Sequence, residues 1–362
     1  MTADSVGGVW TYALELVNAL AERDVEVVLA TMGAPLSPGQ RRELRGSRAE
    51  RVYAQNLKLE WMDDPWSDLE QAGRWLLAIR DELQPDVVHL NGYFHAVLPW
   101  EAPTLVVGHS CVLSWFAAVR GQEAPPTRTR YAERVRSGLQ AADLVVAPTR
   151  TMLRELERWY ELRTERETIP NGLRPPPLRS AGEDKEPLVL TAGRLWDEAK
   201  NVAALDRVAE HIAWPVVVAG ALDPSQRTLH AEALGHLDRR TMDAWLSRAS
   251  IFALPARYEP FGLAALEAGR AGAAVVLGDI PSLREVWEDA ALYVDPDDDD
   301  ALAAALTLLI DERELREEMA GRAGRCAATY TSGRMASSYI GAYERLASAG
   351  ASKPTPLSAI AL

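Results

Sequence analysis

Short apolar runs alternate with amphipathic stretches along the first half of the chain. Four of the runs have the length of buried strands: residues 25–30, 86–90, 104–107 and 143–147. Three stretches between them repeat their apolar residues at helical spacing: residues 9–20, 67–83 and 130–141. Strands that alternate with helices predict a parallel sheet covered by helices on both faces.

The alternation stops at residues 173–187, where three consecutive prolines precede a polar stretch, and this composition predicts a linker. It resumes with five further predicted strands: residues 188–191, 216–219, 251–254, 274–277 and 292–294. The chain is therefore predicted to be α/β, with two doubly wound, Rossmann-like domains, residues 1–172 and 188–331, facing each other across a cleft. Residues 332–348 predict a last helix, and residues 349–362 predict a disordered tail.

The composition restricts the class of protein. The chain has 362 residues, of which 48% are hydrophobic and 25% are charged, as is ordinary for a globular protein of two domains. A net charge of −13 disfavours nucleic acid as a partner. The two cysteines, Cys111 and Cys326, are too far apart in sequence for a metal-binding pair, and no run of about 20 apolar residues occurs. These features predict a cytoplasmic protein without a metal site.

A glycine-rich loop, residues 4–8, leads directly into the first predicted helix. Gly7 and Gly8 would let the backbone approach a ligand closely, and a helix N-terminus attracts anions. A simple tight turn explains the two glycines equally well. Because the chain contains neither G-x-G-x-x-G nor a Walker A sequence, it does not resemble a dinucleotide-dependent dehydrogenase or a P-loop protein.

Two cations follow the first predicted strand of the second domain. Arg194 comes directly after Gly193, and Lys200, one of only four lysines, comes six residues later. Both side chains would reach the same point above the sheet, where an arginine and a lysine suit a diphosphate. The alternative is surface charge at the start of a helix. A lysine there opposes the helix dipole, which favours a functional reason.

Two carboxylates follow the strand predicted over residues 251–254. Glu259 lies in the next loop, and Glu267 lies two turns into the helix after it, among small and apolar residues. A carboxylate on a core-facing helix is costly unless it binds something, and carboxylates hold sugar hydroxyls well. The amides of three intervening residues would point at an anion: Phe261, Gly262 and Leu263.

The segment from Glu259 to Glu267 resembles the E-x7-E signature of the family 4 (group 1) retaining glycosyltransferases, which share the GT-B fold of two facing Rossmann-like domains. The resemblance extends over nearly the whole chain. Its other motifs are the loop at Gly7 and Gly8, residues 86–89, the loop at His109, residues 169–172, Arg194 with Lys200, residues 219–220, and residues 278–285. One departure is Arg174, because the family often has an aspartate there.

The resemblance implies a role for each matching residue. Arg194 and Lys200 would bind the donor diphosphate, with Gly7 and Gly8 against it. Glu267 would hold the ribose hydroxyls. The transferred sugar would be held by Glu259 with the amides of Phe261, Gly262 and Leu263, and His109 would lie near that sugar.

Two further positions are implied on opposite sides of the site. The backbone at Gly235 would border the nucleotide base. Trp115, just after the His109 loop, is a weaker candidate for the acceptor side. The last helix, residues 332–348, would cross back to the first domain, as the chain end usually does in this fold.

The function implied is transfer of a hexosyl group from a UDP- or GDP-sugar to an unidentified carbohydrate, lipid or small-molecule acceptor, with retention at the anomeric carbon. The catalytic set would be Glu259, Arg194, Lys200 and His109, with no metal and no cofactor beyond the donor. Two alternatives remain: a nucleotide-sugar 2-epimerase on the same architecture, and an inactive sugar-nucleotide binding protein. Incubation of the donor without an acceptor separates the epimerase from the transferase.

A basic stretch precedes the strand predicted over residues 143–147. Its arginines, which would suit an anionic lipid or a phosphorylated acceptor, are Arg128, Arg130, Arg134 and Arg136. A solvated helix face is the favoured interpretation, so peripheral membrane contact has weak support.

The glycine loop comes too early for a complete first strand. In a doubly wound domain this strand is central, yet only residues 1–3 precede the loop, against a usual length of about five or six residues. Its neighbours would face each other across a partly empty slot, and each unpaired buried backbone group would cost about 1–3 kcal/mol. We therefore expect a few apolar residues to precede Met1 in the natural protein. The codons upstream test this, and an in-frame stop directly before Met1, with a stable and active protein, would contradict it.

Overall fold

A computed structural model of the protein describes residues 1–175, 185–221 and 228–351. Two α/β domains account for most of these residues. Residues 176–184 of the predicted linker and residues 352–362 of the predicted tail lie outside the described residues.

The first domain alternates strands and helices as predicted. Its strands are β1 (Thr2–Asp4), β2 (Val28–Met32), β3 (Arg51–Ala54), β4 (Val88–Leu90), β5 (Thr104–Val107), β6 (Leu144–Ala147) and β7 (Arg166–Thr168). Its helices are α1 (Gly8–Ala21), α2 (Pro38–Gly46), α3 (Trp66–Leu83), α4 (Val112–Arg120), α5 (Thr129–Ala141) and α6 (Arg150–Tyr160). The strand pairs are all parallel, in the orders β1-β2-β3 and β4-β5-β6-β7.

The first strand, β1, is short, as the sequence predicted. It pairs with β2, and the amino group of Met1 extends this pairing by donating to the carbonyl of Val28 at 2.8 Å. On the side of β1 that faces away from β2, two hydrogen bonds from Asn91 take the place of strand pairing. The backbone N–H of Asn91 donates to Oγ1 of Thr2 at 2.8 Å, and its side-chain amide donates to the carbonyl of Thr2 at 2.7 Å. A cavity of about 30 Å³ remains beside β1, lined by Thr2 and Asn91 among others. Whether residues precede Met1 stays a prediction.

The second domain has the predicted doubly wound topology. Its strands are β8 (Glu186–Ala192), β9 (Val216–Ala219), β10 (Glu232–Gly235), β11 (Ala249–Leu254), β12 (Ala274–Gly278) and β13 (Leu292–Val294). Its helices are α7 (Val202–Val208), α8 (Arg239–Arg248), α9 (Leu263–Arg270), α10 (Pro281–Trp287), α11 (Asp299–Asp311) and α12 (Arg313–Ala328). The parallel order is β10-β9-β8-β11-β12-β13, so the order reverses between β8 and β11, where ligands bind in such sheets.

Side-chain caps define where several helices begin. Ser37 and Gln40 form a capping box at α2, and Asp298 accepts from the amide of Ala301 at the start of α11. The N-terminus of α6 is capped from the other domain as well. Glu285 of α10 accepts from the amides of Arg150 and Thr151 at 2.7 and 2.9 Å, so α10 contacts the start of α6 across the domain boundary.

The last helix, α13 (Ser332–Ala351), packs against α1 of the first domain. Its buried residues share one apolar cluster with α1, and they include Met335, Tyr339, Ala342 and Leu346. The chain enters this helix beside the end of the first domain, where Leu173 exchanges backbone hydrogen bonds with Tyr330 and Ser332 at 3.0 and 2.9 Å. Arg174, which stands where the family often has an aspartate, is held by α1. Its backbone amide donates to the Glu15 carboxylate at 2.7 Å.

We expect Gly172→Ala to destabilise the protein by about 1–3 kcal/mol, the usual cost of overpacking. A Cβ atom at Gly172 would overlap the carbonyl of Thr331, just before α13. Gly46→Ala is the matched control, because a Cβ atom there has no atom within 4 Å. Denaturant unfolding of both variants tests the expectation, and equal free energies of unfolding would contradict it.

Candidate active site

The loop after β8 brings two cations to the carboxyl end of the second sheet. Arg194 follows Gly193, and a single 3-10 turn, Glu198–Lys200, ends at the lysine. Asp197 closes this loop, since its amide donates to the carbonyl of Arg194 at 3.0 Å and its carbonyl accepts from the amide of Lys200 at 2.9 Å. The spacing of six residues therefore places both cations on one loop.

Lys200 forms a largely buried ion pair with Glu259. Its Nζ lies 2.6 Å from Oε2 of the glutamate, and the two side chains are 13% and 16% exposed. The other carboxylate oxygen, Oε1, accepts from the amides of Gly262 and Phe261 at 2.9 and 3.3 Å. Burial alone would raise the pKa of Glu259, but the lysine and the two amides hold that pKa below its ordinary value. Glu259 is therefore ionised at neutral pH.

Glu267 projects from the second turn of α9 and is paired with Arg239 at the start of α8. Arg239 also contacts Asp243 at 2.9 Å. Burial raises the pKa of Glu267 despite the arginine, and the negative charges of Asp243 and Glu15 act in the same direction. This second pair therefore joins α8 to α9, the helix that begins directly after the amides that hold Glu259.

The glycine loop of the first domain lies opposite these groups. A Cβ atom on Gly7, where φ is +79°, would be 3.4 Å from Nη1 of Arg194, and one on Gly8 would be 3.6 Å from Leu263. Larger residues would thus enter the space between the loop and the second domain. The structure brings together Gly7, Gly8, Arg194 and Leu263, which are far apart in sequence.

His109 and Gly235 lie in different domains. Nε2 of His109 is 2.8 Å from Oδ1 of Asn91, and the ring packs edge-on against Tyr12 at 4.5 Å. Burial lowers the pKa of His109 to about 3, so its imidazole is neutral at pH 7. Gly235 ends β10 with φ at +67°, and its carbonyl accepts from the amide of Gly220 at the end of β9.

Trp115 contacts the second domain through its indole N–H. Nε1 donates to Oδ1 of Asp197 at 2.9 Å, and Oδ2 of the same aspartate accepts from Arg194 at 2.9 Å. The sequence suggested Trp115 only for the acceptor side. Its hydrogen-bonding atom is instead bound to the loop that carries the two cations.

Sequence reasoning missed two half-buried carboxyls on the first-domain side of the cleft. Burial and the charge of Glu60 raise the pKa of Asp4 to about 8, and burial raises the pKa of Glu60 to about 7. Glu60 accepts from the amides of Tyr93 and Phe94 at 3.0 and 2.8 Å. Asp4 could have been found from the sequence, because it is the last residue of the first strand, at the carboxyl end where ligands bind in such sheets. Glu60 lies in a loop without such a signal.

Two arginines of the basic stretch at α5 already interact with neighbouring side chains. Arg130 lies over the ring of Trp66 at 4.0 Å, and Arg128 contacts Asp63 at 2.9 Å. Among the described residues, no helix is both long and apolar enough to cross a membrane. Within the same residues, no group of three or more histidine, cysteine, aspartate or glutamate side chains is placed to hold a metal ion.

Comparisons with known proteins agree with this architecture. The profile of Glycosyltransferase Family 4 matches residues 6–175, and that of Glycosyl transferases group 1 matches residues 179–325. A D-inositol 3-phosphate glycosyltransferase of Xylanimonas cellulosilytica is 29% identical over 344 residues, covering 83% of this chain and 82% of that protein. A phosphatidyl-myo-inositol mannosyltransferase of Mycolicibacterium smegmatis is 32% identical over 124 residues, covering 33% of this chain and 32% of that protein.

Solved structures agree on the fold. Sucrose-phosphate synthase from Thermosynechococcus elongatus aligns with a TM-score of 0.77 at 19% identity, covering 96% of this chain and 99% of that one. Anabaena HepE, solved in complex with UDP and glucose, aligns with a TM-score of 0.74 at 13% identity, covering 95% and 99%. The chain belongs to the family 4, group 1 glycosyltransferases, and its fold is GT-B.

We expect Lys200→Met to destabilise the protein at pH 7 by about 2–3 kcal/mol, somewhat less than the roughly 3–5 kcal/mol for breaking a fully buried pair. The pair lowers the pKa of Glu259, so its stabilisation is present at neutral pH and is lost as the pH falls through that lowered pKa. In the variant, burial raises the pKa of Glu259 instead, and the difference from the wild type therefore shrinks in acid.

Denaturant unfolding of the wild type and Lys200→Met at pH 7 and pH 4.5 measures this difference. The double variant Lys200→Met with Glu259→Gln is the control, and it should regain most of the lost stability because no charge stays unpaired. A penalty that is independent of pH and persists in the double variant would contradict the assignment.

Proposed function

We propose that this glycosyltransferase moves a hexosyl group from a UDP- or GDP-sugar to an acceptor hydroxyl, with retention at the anomeric carbon. One observation carries the proposal: Arg194 and the Lys200–Glu259 pair converge at the carboxyl ends of β8 and β11, opposite the glycine loop. A site that pairs cations with carboxylates suits a substrate with a diphosphate at one end and hydroxyls at the other.

In this proposal, Arg194 and Lys200 bind the diphosphate, and they stabilise the charge that develops on it as the bond to the sugar breaks. Glu259 accepts hydrogen bonds from hydroxyls of the transferred sugar, and Glu267 accepts those of the ribose. The backbone at Gly235 borders the base. Since Glu259 is held by Phe261 and Gly262, its orientation is fixed before the sugar binds.

The chemical step needs no protein nucleophile. The acceptor oxygen forms its bond to the anomeric carbon on the face from which the diphosphate departs, and a departing phosphate oxygen takes the acceptor proton. His109 serves near the sugar as a neutral hydrogen-bonding group. Its pKa of about 3 is too low for efficient general-base catalysis near pH 7.

The acceptor proposed for the first test is an inositol or an inositol phosphate. Two relatives with inositol-based names support this choice, and one of them aligns over 83% of this chain. A phosphorylated inositol would need a cation on the first-domain side of the cleft. Because Asp4 and Glu60 lie on that side, the unphosphorylated ring belongs in the same panel.

A panel of nucleotide sugars tests the proposal directly. Thermal unfolding would be measured with UDP-glucose, UDP-N-acetylglucosamine, GDP-mannose and ADP-glucose, and a donor at 100 times its Kd should stabilise the protein by about 2.7 kcal/mol. The stabilising donor would then be incubated with and without the acceptors, and the anomeric configuration of the product determined. Isomerised donor without acceptor would indicate the epimerase, and no stabilisation by any donor or by UDP or GDP would overturn the proposal.

We expect the two glutamates to affect binding differently. Glu267→Gln should weaken binding of both the free nucleoside diphosphate and the sugar donor by about tenfold, the size of one hydrogen bond to a charged group. Glu259→Gln should chiefly weaken the intact sugar donor, because its proposed ligand is the sugar. Calorimetric titration of each variant measures both affinities, and equal loss of the free nucleoside diphosphate in the two variants would refute this division.

A further inference from the structure

Helix α4 of the first domain contacts both loops that carry the proposed diphosphate and sugar ligands. At its N-cap, the amide of Cys111 donates to the hydroxyl of Tyr258, beside Glu259, at 3.1 Å. Further along, Trp115 donates to Asp197 at 2.9 Å. At its last residue, Arg120 donates to Glu198 at 2.6 Å. One helix of the opposite domain thus fixes the loop after β8 and the loop after β11.

Asp197 is the most enclosed of these partners, with 7% of its side chain exposed. Its oxygen Oδ1 accepts from Trp115 of the first domain and from the amide of Ala199 at 3.1 Å. Its oxygen Oδ2 accepts from Nη2 of Arg194 at 2.9 Å. Because a carboxylate is planar and rigid, the bonds to Oδ1 determine where Oδ2 lies, and hence where it holds the guanidinium.

We propose that Trp115 and Asp197 are positioning residues: Trp115 orients Asp197 from the first domain, and Asp197 holds Arg194 where it meets the donor diphosphate. This inference rests on the proposed function for the role of Arg194. It assigns Trp115 to the donor side of the cleft through its indole N–H. In this proposal, Arg194 of the second domain is fully oriented for the diphosphate only when α4 of the first domain contacts the loop after β8.

The arrangement predicts an effect that depends on phosphate. Removal of the indole N–H leaves the charge of Arg194 intact but removes one of the two hydrogen bonds that hold Oδ1 of Asp197, so the aspartate orients Arg194 less strictly. Binding of a nucleoside diphosphate should then weaken, whereas binding of the bare nucleoside should not, because the nucleoside has no group for Arg194. A general loss of packing at Trp115 would instead weaken the binding of both ligands.

Trp115→Phe tests this, since phenylalanine keeps an aromatic ring and removes the N–H. Calorimetric titration would use UDP with uridine, or GDP with guanosine if the donor panel selects a GDP-sugar. We expect about a tenfold loss for the diphosphate, the size of one charge-assisted hydrogen bond, and no change for the nucleoside. Trp159→Phe is the matched control, because its indole N–H donates to Glu155 within α6 at 3.0 Å and contacts neither loop. It should bind both ligands as the wild type does.

Two further variants show whether the effect passes through Arg194. Asp197→Asn keeps an oxygen for Trp115 and replaces the one that faces Arg194, so it should reproduce the loss for the diphosphate. In an Arg194→Ala background, Trp115→Phe should cause no additional loss. Unchanged diphosphate affinity in both Trp115→Phe and Asp197→Asn, or full additivity with Arg194→Ala, would overturn the inference. Failure of the wild type to bind UDP or GDP would instead overturn the proposed function.

Discussion

The ion pair between Lys200 and Glu259 lies largely away from water, where neither charge is tolerable without the other. The same requirement applies to Glu267 with Arg239 and to Asp197 with Arg194. The first two pairs each join segments that are distant in sequence, whereas Asp197 and Arg194 lie three residues apart within the loop after β8. The need to neutralise buried charge therefore determines how the loops at the carboxyl ends of β8 and β11 are arranged.

These pairs also set the conditions under which an anionic substrate binds. In the proposed function, a diphosphate that approaches Arg194 and Lys200 would compete with the carboxylates already in contact with them, so its binding would exchange one anion for another. The desolvation of Lys200 has largely occurred on folding, which leaves less of that cost to binding. A carboxylate that lost its cation in this exchange would need new hydrogen-bond donors, and the hydroxyl groups of a sugar would supply them.

Local sequence patterns predicted most of the fold, because buried parallel strands are continuous apolar runs and their helices repeat at a fixed spacing. The strands that escaped prediction, β3, β7 and β10, are short and begin with charged residues: Arg51, Arg166 and Glu232. The E-x7-E segment and the Arg194–Lys200 spacing were visible because they are local. The contact of Trp115 with Asp197 was not, because 82 residues separate the two and only the folded chain brings them together. Glu60 escaped for the same reason, because only the folded chain brings its charge close enough to act on Asp4.

The carboxylate of Glu285 completes the first turn of α6 from the neighbouring domain. A rotation that separates the domains at this point withdraws the acceptor from the amides of Arg150 and Thr151 and exposes them to solvent. The exchange rates of these two amide protons are therefore coupled to the angle between the domains.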